Sequence, residues 1–200
     1  IDAYHEALAR RSDDAWSLNN LASALYSLGR HSEALPLYQD ALALHRAGYE
    51  ADPERWQKAY AWSLNNLASV LSSLGQPSEA LPLYQEALEL SRAGYEAEPE
   101  RWQESYAASL NNLALVLNSL GRPSEALPLS QEALEIERAG YEVEPERWKK
   151  DYVKSLNSLA FLLDSLERTP EALTLYQEAL AVRCAAYEVD PVSWADDYEV

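Results

Sequence analysis

The stretch SLNNLASVLSSLG, residues 63–75, decides the fold because closely similar stretches occur four times in the chain. The other copies are SLNNLASALYSLG (17–29), SLNNLALVLNSLG (109–121) and SLNSLAFLLDSLE (155–167). Leucines and alanines recur in each copy at helical spacing, but charge is almost absent and two asparagines stand side by side. Recurrence at a fixed interval indicates a repeat architecture in which every unit buries its apolar face against its neighbours.

The repeating unit is 46 residues long, and the first two units are identical at 36 of those positions. Four units are predicted, at 15–60, 61–106, 107–152 and 153–198. Residues 1–14 are predicted to be the remnant of a preceding, shorter unit, whose second helix would end near residue 10. We therefore predict one array over residues 1–200.

Each unit predicts two antiparallel helices joined by short turns. In the second unit, Asp52 and Pro53 supply an N-cap and a proline at the first helical position. Gly75 marks the end of that helix as a left-handed C-cap, and Pro77 begins the next one. The glycine and prolines in every unit argue against one long coiled coil. The predicted fold class is all-α, a solenoid of antiparallel helix hairpins.

Composition excludes several classes of function. The chain has 33 acidic and 16 basic residues, a net charge of −17, which argues against nucleic-acid binding. No apolar run is long enough to span a membrane. A single cysteine, Cys184, leaves no internal disulfide and favours a reducing, cytoplasmic location. The absence of methionine, even at position 1, suggests a fragment or an engineered derivative of a longer protein.

No pattern in the chain indicates catalysis, a metal site or a cofactor. His5, His31 and His45 are not spaced with carboxylates as a metal-ligand set. Neither a phosphate-binding loop nor a serine nucleophile motif is present. We therefore predict a non-enzymatic protein without a cofactor.

The repeats resemble the tetratricopeptide repeat (TPR) family. In the second unit, the matching positions are Leu64, Leu67, Ala68, Leu71, Gly75, Ala80, Tyr84 and Ala87. The amino-acid sequence of the repeat is similar to that of kinesin-light-chain-like arrays and of arrays in bacterial and fungal sensor proteins. The unit here is longer than the usual TPR of about 34 residues. The resemblance implies a superhelical solenoid whose first helices line a concave groove that binds peptide segments.

One stripe of each first helix changes from unit to unit around a constant asparagine. An amide can both donate and accept hydrogen bonds, so the asparagines are predicted to hold a peptide backbone while their neighbours provide selectivity. Asp164 joins this set as a selectivity residue. The predicted groove residues are Trp16, Asn19, Asn20, Tyr26, Trp62, Asn65, Asn66, Ser69, Asn111, Asn112, Leu115, Asn118, Asn157 and Phe161. The alternative is that the asparagine pairs only tie adjacent helices together.

Recurring aromatic residues are interpreted as packing rather than as a ladder for bases or sugars. Each unit repeats a tyrosine, a tryptophan and a second tyrosine, as at Tyr49, Trp56 and Tyr60. Each tryptophan is expected to fill the space across the turn from its tyrosine. The fourth unit decays, since Glu167 replaces the C-cap glycine.

The predicted function is a protein- or peptide-binding scaffold that belongs to a larger protein. Self-association through the exposed ends of the array is the alternative, and a designed consensus array without a natural ligand is a third interpretation. No nucleic acid, membrane, metal or cofactor is expected as a partner.

Overall fold

The computed structural model describes the backbone of residues 2–189 and the side chains of residues 14–187. Within that range the chain forms helices joined by turns of one or three residues. The helices are α1 (Asp2–Ser27), α2 (His31–Ala51), α3 (Pro53–Ser73), α4 (Pro77–Ala97), α5 (Pro99–Ser119), α6 (Pro123–Val143), α7 (Pro145–Ser165) and α8 (Thr169–Val189). The predicted all-α fold of TPR-like helix hairpins is confirmed.

The helices fall into two compact bodies, an N-terminal body of Ile1–Leu120 and a C-terminal body of Gly121–Val200. In the N-terminal body, α1 packs on α2, α2 on α3, α3 on α4 and α4 on α5, and α3 also contacts α5 directly. In the C-terminal body, α6 packs on α7 and α7 on α8. The prediction that the repeats form one array over 1–200 stays a prediction.

Helix boundaries follow from capping chemistry. The Asp52 carboxylate accepts a hydrogen bond of 3.3 Å from the backbone N–H of Arg55, and Pro53 opens α3. At the other end of α3, the Gln76 N–H bonds the Leu71 carbonyl at 2.9 Å across Gly75, whose φ is +77°. This is a Schellman motif, and it ends the helix where the sequence predicts.

The fourth repeat keeps the same turn without the glycine. Glu167 adopts a φ of +60°, and the Arg168 N–H bonds the Leu163 carbonyl at 2.9 Å. The left-handed conformation is unfavourable for a residue with a Cβ. The geometry of the turn is therefore imposed by the packing of α7 and α8 rather than by the residue.

The buried tryptophans confirm the packing interpretation. Trp56, Trp102 and Trp148 are only 5%, 4% and 2% exposed. Each lies across the turn on the glycine that directly precedes the tyrosine, so a Cβ added at Gly94 would meet the Trp102 ring at 2.2 Å. The tyrosines stack on each other in pairs, Tyr49 on Tyr60, Tyr95 on Tyr106 and Tyr141 on Tyr152. The corresponding Trp194 and Tyr198 lie outside the described residues.

The predicted remnant at residues 1–14 is not a separate helix. Helix α1 runs without interruption from Asp2 to Ser27, so the predicted end of a preceding helix near residue 10 is wrong. The physical reason is that no glycine or proline occurs between Asp2 and Ser27, whereas Pro53, Pro99 and Pro145 open the later first helices.

Candidate functional site

The first asparagine of each pair joins neighbouring first helices. Asn19 Nδ2 donates to Ser63 Oγ at 3.1 Å and to the Ala15 carbonyl at 3.2 Å. Asn65 repeats both bonds one unit later, to Ser109 Oγ at 3.0 Å and to the Ala61 carbonyl at 3.3 Å. These amides connect α1 to α3 and α3 to α5.

The second asparagine extends the same network toward the surface. Asn66 Nδ2 donates to Asn19 Oδ1 at 3.4 Å, and Asn112 Nδ2 donates to Asn65 Oδ1 at 3.4 Å. Asn66 and Asn112 are half-buried, and Asn20 is exposed. The second asparagines therefore keep part of their amide open to solvent.

Burial corrects the predicted roles of two groove residues. Asn19 is 0% exposed and Asn111 is 2% exposed, so neither offers its amide to a peptide in this conformation. Asn65 is half-buried and already bonded on both sides of its amide. The first asparagines accordingly stabilise the helix stack, because a buried amide needs hydrogen-bond partners.

The exposed stripe keeps the predicted positions of Trp62 and Ser69 but passes between them through the second asparagine rather than the first. We call it the first-helix face, and it passes through the second asparagine at intervals of four, three and four residues. Its members in the N-terminal body are Trp16, Asn20, Ser23 and Ser27 on α1, Trp62, Asn66, Ser69 and Ser73 on α3, and Ala108, Asn112, Leu115 and Ser119 on α5.

Other predicted residues lie on or beside this face. Tyr26 OH hydrogen-bonds Ser73 Oγ at 2.8 Å, and Ser69 Oγ hydrogen-bonds Tyr84 OH at 2.9 Å. Leu115 is 40% exposed, and Asn118 is half-buried.

Three predicted residues lie on α7, in the C-terminal body. Phe161 is 58% exposed, Asn157 is half-buried, and Asp164 is exposed. Asp164 accepts a hydrogen bond of 2.9 Å from Thr169 Oγ1.

A cleft of about 540 Å³ opens on the first-helix face among α1, α3 and α5. Trp16 and Trp62 stack there with centroids 4.8 Å apart and planes inclined by 27°. Trp16 remains 45% exposed. The lining residues are Trp16, Arg55, Trp56, Lys58, Ala59, Trp62 and Ser105. The volume is within the range of about 300–1,000 Å³ typical of ligand sites.

Two cations border this cleft without a carboxylate partner among the described residues. The Arg55 guanidinium lies 5.7 Å from the Trp56 ring centroid, and Lys58 Nζ lies 5.8 Å from that of Trp102. Lys58 also donates to the Arg101 carbonyl at 2.9 Å. The described lining residues therefore carry two positive charges and no negative charge.

Sequence reasoning identified Trp16 and Trp62 but not Arg55, Trp56, Ala59 or Ser105 as cleft residues. The repeated Pro-Glu-Arg-Trp motif predicts a helix start, and nothing in it indicates that its arginine borders a cleft. Only the placement of α1 beside α3 brings these residues together.

A buried polar position beside Ser63 and its equivalents changes chemistry from repeat to repeat. His45 is 0% exposed, and its Nδ1 lies 2.5 Å from Ser63 Oγ. Burial lowers the pKa of His45 to about 4, so the imidazole is neutral at pH 7. The same position holds Ser91 and then Glu137, whose pKa burial raises to about 8. Among the described residues, no group of three or more His, Cys, Asp or Glu side chains could hold a metal ion.

Family comparison identifies the class of protein. The tetratricopeptide repeat family model matches residues 15–53, 61–98, 107–139 and 153–192, which together make up more than half of the chain. The chain therefore belongs to the tetratricopeptide repeat family. Each match begins at the residue where a repeat is predicted to begin. None of the curated proteins compared with the chain matches its sequence.

Solved structures share this fold at low sequence identity. BtubC (BKLC) from P. vanneervenii superposes with a TM-score of 0.69 at 22% identity, covering 92% of this chain and 71% of that one. Aspartyl phosphate phosphatase F from Bacillus subtilis gives 0.69 at 15% identity, covering 94% and 44%. MamA gives 0.54 at 18% identity, covering 94% and 89%.

Membership of the family indicates a protein-interaction scaffold in general terms, of a kind that is typically non-catalytic. No described helix combines the length and apolar character needed to cross a membrane.

Proposed function

We propose that the chain is a non-enzymatic scaffold. It binds an extended segment of a partner protein along the first-helix face of its N-terminal body. The observation that carries the proposal is the stacked tryptophan pair at the edge of an open cleft, in which Trp16 is 45% exposed and Trp62 is half-buried. The same face also carries the exposed Asn20 and the half-buried Asn66 and Asn112.

The fold itself does not require tryptophan at these positions. The position of Trp16 and Trp62 is occupied by alanine on α5, at Ala108, and by lysine on α7, at Lys154. Both replacements are exposed, and both first helices are fully formed. Stability therefore does not explain the two indoles, whereas recognition does, because tryptophan is enriched among residues that dominate binding energy.

The chemistry of the cleft defines what the segment should carry. Apolar walls from three tryptophans favour a large apolar side chain, and the cations at Arg55 and Lys58 favour a carboxylate next to it. The amides beyond the cleft can bond a peptide backbone in either direction. The segment is therefore expected to combine an apolar anchor with an acidic neighbour.

Selection from a random-peptide display library, with the purified full chain as bait, tests this proposal. The affinity of the best peptide is then measured by fluorescence anisotropy for the wild type and for Trp62→Ala. Loss of a central aromatic contact is expected to weaken binding at least about tenfold. Val143→Ala, which truncates a residue that is 80% exposed on α6, is the matched control and should bind normally. Equal affinity of wild type and Trp62→Ala would contradict the proposal.

A second candidate function, self-association, is favoured by an uncovered face of α8. Leu173, Tyr176, Leu180 and Tyr187 are 55%, 40%, 56% and 41% exposed. The equivalents of Tyr176 and Leu180 in earlier repeats are 2% to 9% exposed (Tyr38, Tyr84, Ser130, Leu42, Leu88 and Leu134). Light scattering across a concentration series tests this function. A strict monomer at every concentration would exclude it.

A further inference from the structure

We infer that His45 is a positioning residue for the cleft on the first-helix face. Its imidazole, which is itself held by Ser63, fixes the orientation in which the Trp16 indole stacks on Trp62. The inference rests on the peptide-binding function proposed above and deepens it, because it names a residue outside the cleft that determines the shape of the cleft wall.

His45 contacts two walls of the cleft without lining the cleft itself. Its ring centroid lies 6.0 Å from that of Trp16, with the ring planes inclined by 72°, and 5.9 Å from that of Trp56. Trp16 and Trp56 both line the cleft, whereas His45 is 0% exposed. Edge-to-face contact, as with Trp16, is one of the arrangements that aromatic rings prefer. The imidazole therefore lies behind the wall, where it can hold an indole in position.

A series of hydrogen bonds holds the imidazole. Asn19 Nδ2 donates to Ser63 Oγ at 3.1 Å, and Ser63 Oγ lies 2.5 Å from His45 Nδ1. Because Ser63 Oγ already accepts from Asn19 and has no other acceptor in the described part of the chain, its proton points to Nδ1. The neutral ring then carries its own proton on Nε2. The series runs from α1 through α3 to α2 and fixes the plane of the imidazole.

The needs of the fold do not explain an imidazole at this position. The Nε2 atom of His45 is buried and has no hydrogen-bond partner among the described residues, which lowers stability. The next repeat avoids this loss with Ser91, whose Oγ donates to the Ala87 carbonyl of its own helix at 2.8 Å. Contact with Trp16 accounts for the imidazole, because only a ring at this position can pack edge-on against the indole.

A fixed Trp16 favours binding because ordering a side chain during association costs free energy. Trp16 is 45% exposed, so an indole without firm contacts could turn away from Trp62. The edge of His45 and the face of Trp62, whose centroid is 4.8 Å from that of Trp16, hold the indole before a segment arrives. The wall of the cleft is thereby ordered in advance.

Two substitutions separate the ring of His45 from its hydrogen bond. His45→Asn keeps an acceptor for the Ser63 hydroxyl but removes the ring, whereas His45→Phe keeps a ring but removes the acceptor. Two stacked indoles couple their electronic transitions and give an excitonic band in the circular dichroism spectrum. Trp62→Ala should abolish this band and so identifies it. His45→Asn should lose the band, and His45→Phe should retain it.

Ser91→Ala, at the equivalent position of the next repeat, is the matched control. It should keep the excitonic band, because Ser91 bonds within its own helix. Helical circular dichroism and a cooperative thermal melt show that each variant folds.

Peptide affinity is measured for the same variants with the best peptide from the display selection. His45→Asn should bind it about two- to tenfold more weakly, the range expected when one further side chain must be ordered on association. His45→Phe and Ser91→Ala should bind it as the wild type does.

A folded His45→Asn with the excitonic band of the wild type would overturn the inference, whatever His45→Phe shows. The band is measured without peptide, so this outcome is separate from a failure of the proposed function. If His45→Asn loses the band but binds the peptide normally, the positioning role stands, and the peptide does not bind at this cleft.

Discussion

Each buried tryptophan depends on a glycine that gives its ring room. The Cβ of any other residue at Gly48, Gly94 or Gly140 would lie 2.2–2.4 Å from the nearest atom of the indole ring, which belongs to Trp56, Trp102 or Trp148 respectively. These glycines lie inside helices and have ordinary helical φ values, so their role is close approach rather than backbone freedom. Helix propensity alone would favour alanine at these positions by about 1 kcal/mol.

Gly94→Ala should therefore lower the free energy of unfolding although it improves helix propensity. Forcing a methyl group into the Trp102 ring costs about 1–3 kcal/mol as overpacking, which exceeds the gain in propensity. Urea denaturation followed by circular dichroism measures the change. Ala93→Gly, at the exposed neighbouring position, is the control for propensity and should cost about 1 kcal/mol. A more stable Gly94→Ala would show that the tryptophan can move aside.

The buried position of His45, Ser91 and Glu137 makes stability depend on pH. Burial is the main reason why the pKa of Glu137 rises from 4.5 to about 8, and the charge of Asp151 adds to it. A hydrogen bond from Ser155 and the charge of Lys154 act in the opposite direction but are smaller effects. The folded chain therefore holds a proton on Glu137 at pH 7, which the unfolded chain releases.

Glu137→Gln should remove this pH dependence. Because the pKa is raised in the folded state, the contribution of Glu137 is complete below pH 4.5 and is lost as the pH rises to about 8. The melting temperature of the variant relative to the wild type should accordingly rise over that interval. Thermal unfolding at a series of pH values measures the difference. A constant difference across the interval would show that Glu137 ionises normally in the folded chain.

At the scale of the helices, the asparagine pairs divide two tasks between adjacent residues. The amide of Asn19 connects α1 to Ser63 on α3, while the side chain of Asn20 points to solvent. Consecutive residues on a helix are about 100° apart, so one can enter the helix stack while the other reaches the open face. The pair thus combines packing with an exposed amide within one turn.

Asn19→Ala and Asn20→Ala should separate these tasks. Asn19→Ala removes one of the two hydrogen bonds of the buried Ser63 Oγ, which keeps its bond to His45, and takes away the acceptor of the Asn66 amide. It should therefore cost about 1–3 kcal/mol of unfolding free energy. Asn20→Ala truncates an exposed side chain and should change stability by less than about 0.5 kcal/mol. Chemical denaturation of the two variants measures the contrast. Equal losses would mean that Asn20 also supports the stack.

The end of α7 offers a stabilising substitution. Glu167→Gly should raise the free energy of unfolding by about 1 kcal/mol, because glycine adopts the positive φ of 60° without steric cost. Gly75→Glu is the converse control at the equivalent turn, where φ is +77°, and should lose a similar amount. Denaturant midpoints for both variants check the pair. A destabilised Glu167→Gly would point to contacts of the glutamate side chain.

The elements were predictable because their signals are local. Pro53, Gly75 and Pro77 each act through their own backbone preferences, and α3 and α4 begin and end close to the predicted residues. The face on which an asparagine lies was not predictable to one residue. Asn65 and Asn66 are both compatible with the edge of an amphipathic stripe, and only the neighbouring helices decide which amide is covered.

At the scale of the whole molecule, the net charge of −17 opposes folding through self-repulsion. Several ion pairs act against it, such as Arg30–Glu33 and Arg122–Glu125 at 2.7 Å. These pairs are exposed to solvent and join residues three positions apart, so each contributes little to the free energy of unfolding. The excess of acidic over basic residues is too large for such pairs to neutralise.

Added sodium chloride should therefore raise the melting temperature. Screening acts on both effects, since the Debye length falls from about 30 Å at 0.01 M to about 3 Å at 1 M salt. Repulsion that arises from the excess of acidic over basic residues exceeds the attraction within a few exposed pairs, so screening should favour the folded chain. Circular dichroism melts at low and high sodium chloride measure the change; sulfate is avoided because it strengthens hydrophobic burial by itself. A melting temperature that falls with salt would mean that the ion pairs outweigh the repulsion.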